Sequence, residues 1–112
     1  MKDDAVYLRH ILEAIRRVEE NTKAGHDAFL ASHTLQDAVL RNLQTMAEAT
    51  QRLSASAKLR QPGVDWHALG GFRNVLVHNY LGVDLEQIWI AIDRDVPGLK
   101  AAAIELLSGH ES

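Results

Sequence analysis

Apolar residues recur in this chain at intervals of three and four, and no stretch sustains alternation at every second position. Such a pattern buries one stripe of a helix and gives a strand no face to bury. Leu8, Ile11, Leu12, Ile15 and Val18 form the first stripe, with Arg9, Glu13, Arg16, Arg17 and Glu20 elsewhere on the wheel. Asp3 or Asp4 is placed to cap this helix, and Asn21 to Gly25 to end it. A second helix of more than five turns, opened by Asp27 or Ser32, carries Leu35, Val39, Leu43, Met46, Thr50 and Leu53. Residues 54–63 lose the period and close with Gln61-Pro62-Gly63, so they are expected to form a loop. A third helix follows Asp65 and stops at Gly82. A fourth, with Asp84 and Gln87 as a capping box, bears Leu85, Ile88, Trp89 and Ile92. Val96-Pro97-Gly98 breaks the chain before a last helix with Leu99, Ala102, Ala103, Leu106 and Leu107, fraying from Ser108. The expectation is an all-α, mostly antiparallel bundle of about five helices, forming one domain over residues 1–112 and lacking internal repeats.

Hydrophobic residues make up 46% and charged residues 24% of the 112, enough for one packed core and inconsistent with disorder. Cysteine is absent, which excludes disulfides and thiolate chemistry and fits a reducing compartment. Two acids follow Met1-Lys2, and no run approaches the roughly 18 apolar residues of a membrane span, so a cytoplasmic, membrane-free protein is expected. The net charge of −3 does not favour nucleic acid, whose nonspecific affinity comes from Lys and Arg on phosphate. Any RNA contact must therefore be local. The histidines outside the region discussed next are His10, His26, His33, His67 and His110; none forms a metal-ligand pattern, and no metal or other cofactor is expected.

One segment departs from plain helix-building. Arg73-Asn74-Val75-Leu76-Val77-His78-Asn79-Tyr80 sets a guanidinium, an amide, an imidazole and a phenol among aliphatic residues, where unpartnered polar groups cost stability. Trp66, Arg73 and Tyr80 stand seven apart and nearly superpose on an ideal wheel, and Asn74 shares a face with His78. Gly70 and Gly71, poor helix formers one turn before the motif, suggest that another backbone approaches there, such as that of a second subunit. RNA is cut without metal when its own 2′-hydroxyl attacks the adjacent phosphate, which needs a proton carrier and a cation. His78 suits the first task and Arg73 the second, with Asn74 able to orient the ring or donate to phosphate. Arg73 and His78 are separated by about 140° and ~7.5 Å of rise. Either one phosphate sits between them, or Arg and His of two chains face one cleft; surplus apolar residues on so small a domain favour the dimer. The same cluster also fits a satisfied structural network, and Trp66, Trp89 and Phe72 fit the core.

Arg, four residues, His, one residue, Tyr, with Asn directly after the Arg, resembles the motif of HEPN-domain ribonucleases. The likeness to the HepT branch of that family extends over nearly the whole chain. Tyr7 to Ile15 looks like its opening helix and Leu35 to Leu43 its second. Trp66 with Arg73-Asn74 is similar to its third, and Asp84 to Trp89 with Val96 to Lys100 to its closing segments. The resemblance implies an HEPN-like bundle and a homodimeric, metal-independent RNase toxin of a type II toxin–antitoxin pair, with Arg73 and His78 catalytic. It also implies a minimal nucleotidyltransferase antitoxin of the MntA type that transfers AMP units to Tyr80, blocking the cleft with negative charge. Ala47-Glu48-Ala49 departs from the family's common Gly-Glu-Ala and leaves the role of Glu48 open. The alternatives are a non-catalytic helical module that binds a nucleotidyltransferase, and a nucleotide-binding subunit in which Arg73 holds a phosphate.

Overall fold

A computed structural model describes residues 2–111. Among them the chain forms seven α-helices: α1 (Lys2–Thr22), α2 (His26–Ala31), α3 (His33–Gln51), α4 (Ala55–Leu59), α5 (Trp66–His78), α6 (Leu85–Arg94) and α7 (Val96–Glu111), with a 3₁₀ turn at Tyr80–Gly82. The all-α class expected from the periodicity holds, and no described residue is in a strand. Pairings between distant residues set the directions. Asp4 at the start of α1 meets Ser54 just past α3, and Lys100 at the start of α7 reaches Glu19 near the end of α1 at 2.9 Å. Both α3 and α7 therefore run antiparallel to α1.

The apolar stripe of α1 is buried as the spacing requires, with Leu8, Ile11, Ile15 and Val18 at most 1% exposed. It packs on Val39, Leu43 and Met46 of α3 and on Leu99, Ala103 and Leu106 of α7, with Phe29, Leu76 and Ile88 closing the cluster. Each large side chain removed from water contributes about 1.5–3 kcal/mol. Trp66, Phe72 and Trp89 are half-buried against this core. No helix among the described residues is long and apolar enough to cross a membrane.

Several boundaries differ from the sequence expectation. The turn at Gly25, whose φ of 100° favours glycine, starts a separate short α2; Asp27 lies inside its first turn, and the cap position is Gly25 itself. Ser32 does cap α3, its Oγ accepting from Leu35 N at 3.2 Å. Residues 54–63 are not all loop, because Ser54 accepts from Ala57 N and nucleates the one-and-a-half-turn α4. This helix is too short for any apolar period to register, and its cap is its one local signal. Asp3 and Asp4 lie within the first turn of α1 rather than capping it. Asp4, buried, instead accepts from Ser54 N at 2.8 Å and from Ser54 Oγ at 2.7 Å, tying the start of α1 to the cap of α4. Val96-Pro97-Gly98 forms the first turn of α7, where proline's missing N–H costs nothing; the break is the single residue Asp95. The helix then stays regular through Glu111 instead of fraying at Ser108. Seven helices replace about five.

Candidate functional site

α5 is held from one side. Asp65 caps it, its carboxylate accepting from Ala68 N at 2.9 Å, and the Trp66 indole donates to the carbonyls of Lys58 and Gln61, fastening its start to the end of α4. Leu76 is its one buried residue; Leu69 and Phe72 are partly covered, whereas His67, Gly71, Asn74, Val75 and His78 face outward. Two pairs fix its register on α3: Gly70 beside Gln51, and Tyr80 just beyond α5 beside Asp37. The helices are antiparallel, so the polar stripe Asp37, Arg41, Gln44, Glu48 and Gln51 on α3 runs along the motif.

The helix ends sooner than expected. Asn79 leaves the helical region at φ −138°, ψ 40°, with its N–H still donating to Val75 O. The chain then tightens into the 3₁₀ turn, and Gly82 closes that turn rather than α5. A Cβ at position 82 would strike the Asn79 amide oxygen, so any larger residue there displaces the Asn79 side chain. Tyr80 is thereby turned off the line through Trp66 and Arg73. Its hydroxyl is 3.3 Å from Asp37 Oδ1, to which it donates. Burial, reinforced by the adjacent Asp37 carboxylate, pushes the Tyr80 phenol above its ordinary range.

Arg73 and Asn74 enter a common site. Nη1 of Arg73 donates to Asn74 Oδ1 at 3.1 Å, and both line a cleft of about 590 Å³ between α3 and α5, with Glu48, Gln51, Arg52, His67, Gly70 and Gly71. His78 is not among the lining residues; it lies one turn past Asn74 on the same face, exposed, with no hydrogen-bond partner among the described residues. The expectation that Arg73 and His78 point apart is met within one chain. Within the chain the neighbour of Gly70 is a side chain: a Cβ there would stand 3.0 Å from Oε1 of Gln51 on α3, and one at Gly71 would meet nothing within 4 Å. Ala47 and Ala49 are buried, which turns Glu48 toward the cleft, where its carboxylate accepts from Gln44 Nε2 at 3.0 Å.

The sequence pattern does not single out Arg52, His67 or Asp37 as members of the site. For His67 a signal exists, since His67, Gly71, Asn74 and His78 follow one another at four, three and four residues. Arg52 and Asp37 depend on how α3 lies against α5, which no local pattern states. No three His, Asp or Glu side chains converge to hold a metal ion among the described residues.

The family model described as Ribonuclease HepT-like matches residues 11–106. A protein of Methanocaldococcus jannaschii named "Gamma-glutamylcyclotransferase and putative RNase" is 36% identical over 107 residues, 95% of this chain and 48% of that relative, so the chain spans about half of its length. The "Probable ribonuclease HepT" of Thermococcus cleftensis is 35% identical over 84% of this chain and 86% of its own. A "Putative RNase" of Caldanaerobacter subterraneus subsp. tengcongensis is 31% identical over 96% of both. No solved structure matches the chain.

Proposed function

The chain belongs to the HepT-like ribonuclease family, and from that premise we propose that it is a metal-independent endoribonuclease, the toxin of a type II toxin–antitoxin pair. The observation that carries this reading is the family match over residues 11–106, which encloses an intact Arg73, Asn74, His78 and Tyr80. RNA's 2′-hydroxyl forms the new bond to phosphorus while the bond to the 5′-oxygen breaks, leaving a cyclic phosphate and a 5′-hydroxyl. His78 carries a proton in this exchange, taking it from the 2′-oxygen or giving it to the 5′-oxygen. Arg73, held by Asn74, stabilises the charge that builds on the phosphate oxygens. The exposed His78 has the freedom to face the Arg73 of a second copy, and the active form is a homodimer with composite clefts.

Silencing acts on Tyr80. A minimal nucleotidyltransferase antitoxin of the MntA type joins the tyrosine oxygen to the α-phosphorus of ATP, with release of pyrophosphate and loss of the phenol proton. The bond to Asp37 must open for this. Each AMP adds negative charge two residues from His78, repelling RNA from the cleft. Cleavage of a defined RNA in EDTA, by wild type beside His78→Ala and beside protein AMPylated on Tyr80, tests the reading. Cleavage by wild type alone is expected. If none of the three cuts RNA while wild type still binds the nucleotidyltransferase, the chain is instead a non-catalytic interaction module.

A further inference from the structure

The family motif accounts for Arg73 and His78 but not for the far end of the cleft, lined by Arg52, the C-cap of α3, and by His67 of α5. Four cations elsewhere are answered by acids: Arg16 by Glu13 and Glu20, Arg17 by Glu13, Lys100 by Glu19, Arg94 by Asp95. Neither Arg52 nor Arg73 is in an ion pair among the described residues. Arg52 instead lies 6.0 Å from the centroid of the Tyr7 ring, which steadies the guanidinium without neutralising it. Glu48 is the one carboxylate lining the cleft, and Gln44 engages it. Exposed His67 stands in the first turn of α5, beside the Asp65 carboxylate that caps it. Gly71 leaves open space on the helix between these groups, while the Gln51 amide lies over Gly70.

Direction supplies the rest. His67, Gly71, Asn74 and His78 form one stripe, and eleven residues of helix place His67 about 16 Å from His78 along the axis. A stacked nucleic-acid strand advances ~3.4 Å per nucleotide, so this distance corresponds to roughly five nucleotides. We infer that the Arg52–His67 end of the cleft is a second phosphate subsite, which holds the RNA backbone several nucleotides from the bond cut at His78 and makes the enzyme select strands over short fragments. This rests on the ribonuclease reading for its substrate, while its binding prediction stands apart from cleavage.

The test is binding of 2′-O-methyl RNA, whose blocked 2′-oxygen prevents cleavage, read by fluorescence anisotropy on the full chain. A hexanucleotide is expected to bind wild type more tightly than a dinucleotide. Arg52→Gln with His67→Gln should cut hexanucleotide affinity about tenfold, remove most of the advantage of length and flatten the salt dependence, because fewer phosphates are then neutralised. The single His67→Gln change, at an exposed position, gives a smaller loss in the same direction and serves if the double variant does not fold. Equal affinity of wild type and either folded variant for the hexanucleotide would overturn the subsite, as would failure of wild type to bind it. Displacement of the hexanucleotide by lower concentrations of ATP than of RNA would overturn it in favour of a mononucleotide site. Hexanucleotide binding through Arg52 and His67 by a wild type that cuts no RNA in EDTA would sink the nuclease reading alone.

Discussion

α3 and α5 lie side by side yet are built to opposite ends. α3 buries seven residues, from Val39 to Thr50, between α1 and the rest of the bundle, whereas α5 buries Leu76 alone and carries two adjacent glycines. One helix is fixed by packing. The other is held by an N-cap, an indole, a tyrosine hydrogen bond and the partly buried Leu69 and Phe72, and presents His67, Asn74, Val75 and His78 outward. α5 can stay this open because α1, α3 and α7 already supply most of the core.

The largest separation of the two helices should come from His78→Ala, which is expected to reduce RNA cleavage by about 10²–10⁴ while the thermal midpoint stays at the wild-type value, since the ring is exposed and unpartnered among the described residues. A loss of activity accompanied by unfolding would merge the two roles again. On α3 the converse holds: Leu43→Ala, at 0% exposure, should cost about 2–5 kcal/mol in urea unfolding. Val75→Ala on α5, 47% exposed, should by contrast change stability by no more than about 0.5 kcal/mol. Asp4→Ala removes the acceptor that holds both the N–H and the hydroxyl of Ser54 and is expected to cost about 1–3 kcal/mol, loosening the segment on which the Trp66 indole rests. A melt unchanged from wild type would show that Asp4 does not anchor α5.

Smaller effects bear on the same contrast. Gly71→Ala meets open space and should stabilise the isolated chain by about 1 kcal/mol through helix propensity. If a second copy packs on that face, sedimentation will report a weakened dimer alongside the higher melting temperature. The smallest effect concerns α6, which follows the motif. His26 sits 2.9 Å from Glu86 and 3.0 Å from Asp27, and these two carboxylates raise its pKa, Glu86 most. Because the folded value lies above the unfolded one, this tether between α2 and α6 is complete below about pH 6.5 and is lost as pH rises through the raised value. Melts of His26→Asn should therefore lack the slight gain that wild type shows on going from alkaline to mildly acidic pH.

Local chemistry was readable wherever one residue acts on its own neighbours. The stripe from Leu8 to Val18, the caps at Ser32, Asp65 and Asp84, and the crowding of Arg73, Asn74, His78 and Tyr80 all lie within a few residues of what they organise. Shorter or longer range defeated such reading. α4 spans too few residues to show a period, and Asp4 serves a cap fifty residues away. The stop of α5 at His78 rather than Gly82 comes from Asn79 and its contact with Gly82, a choice between two continuations that helical spacing cannot rank.

An all-helical chain, its long amphipathic helices, and the crowding of Arg73, Asn74, His78 and Tyr80 into one segment follow from the residues alone, because period, capping and side-chain chemistry act over one or two turns. Which of those side chains share a space depends instead on packing in three dimensions. The antiparallel seating of α5 on α3 puts Arg52, Glu48 and His67 around Arg73 and Asn74 and gives Tyr80 to Asp37. It also leaves His78 outside the cleft, on an open face. Such pairings join residues far apart in the chain through the fit of two helix surfaces, and that fit is set by the whole core rather than by any local stretch.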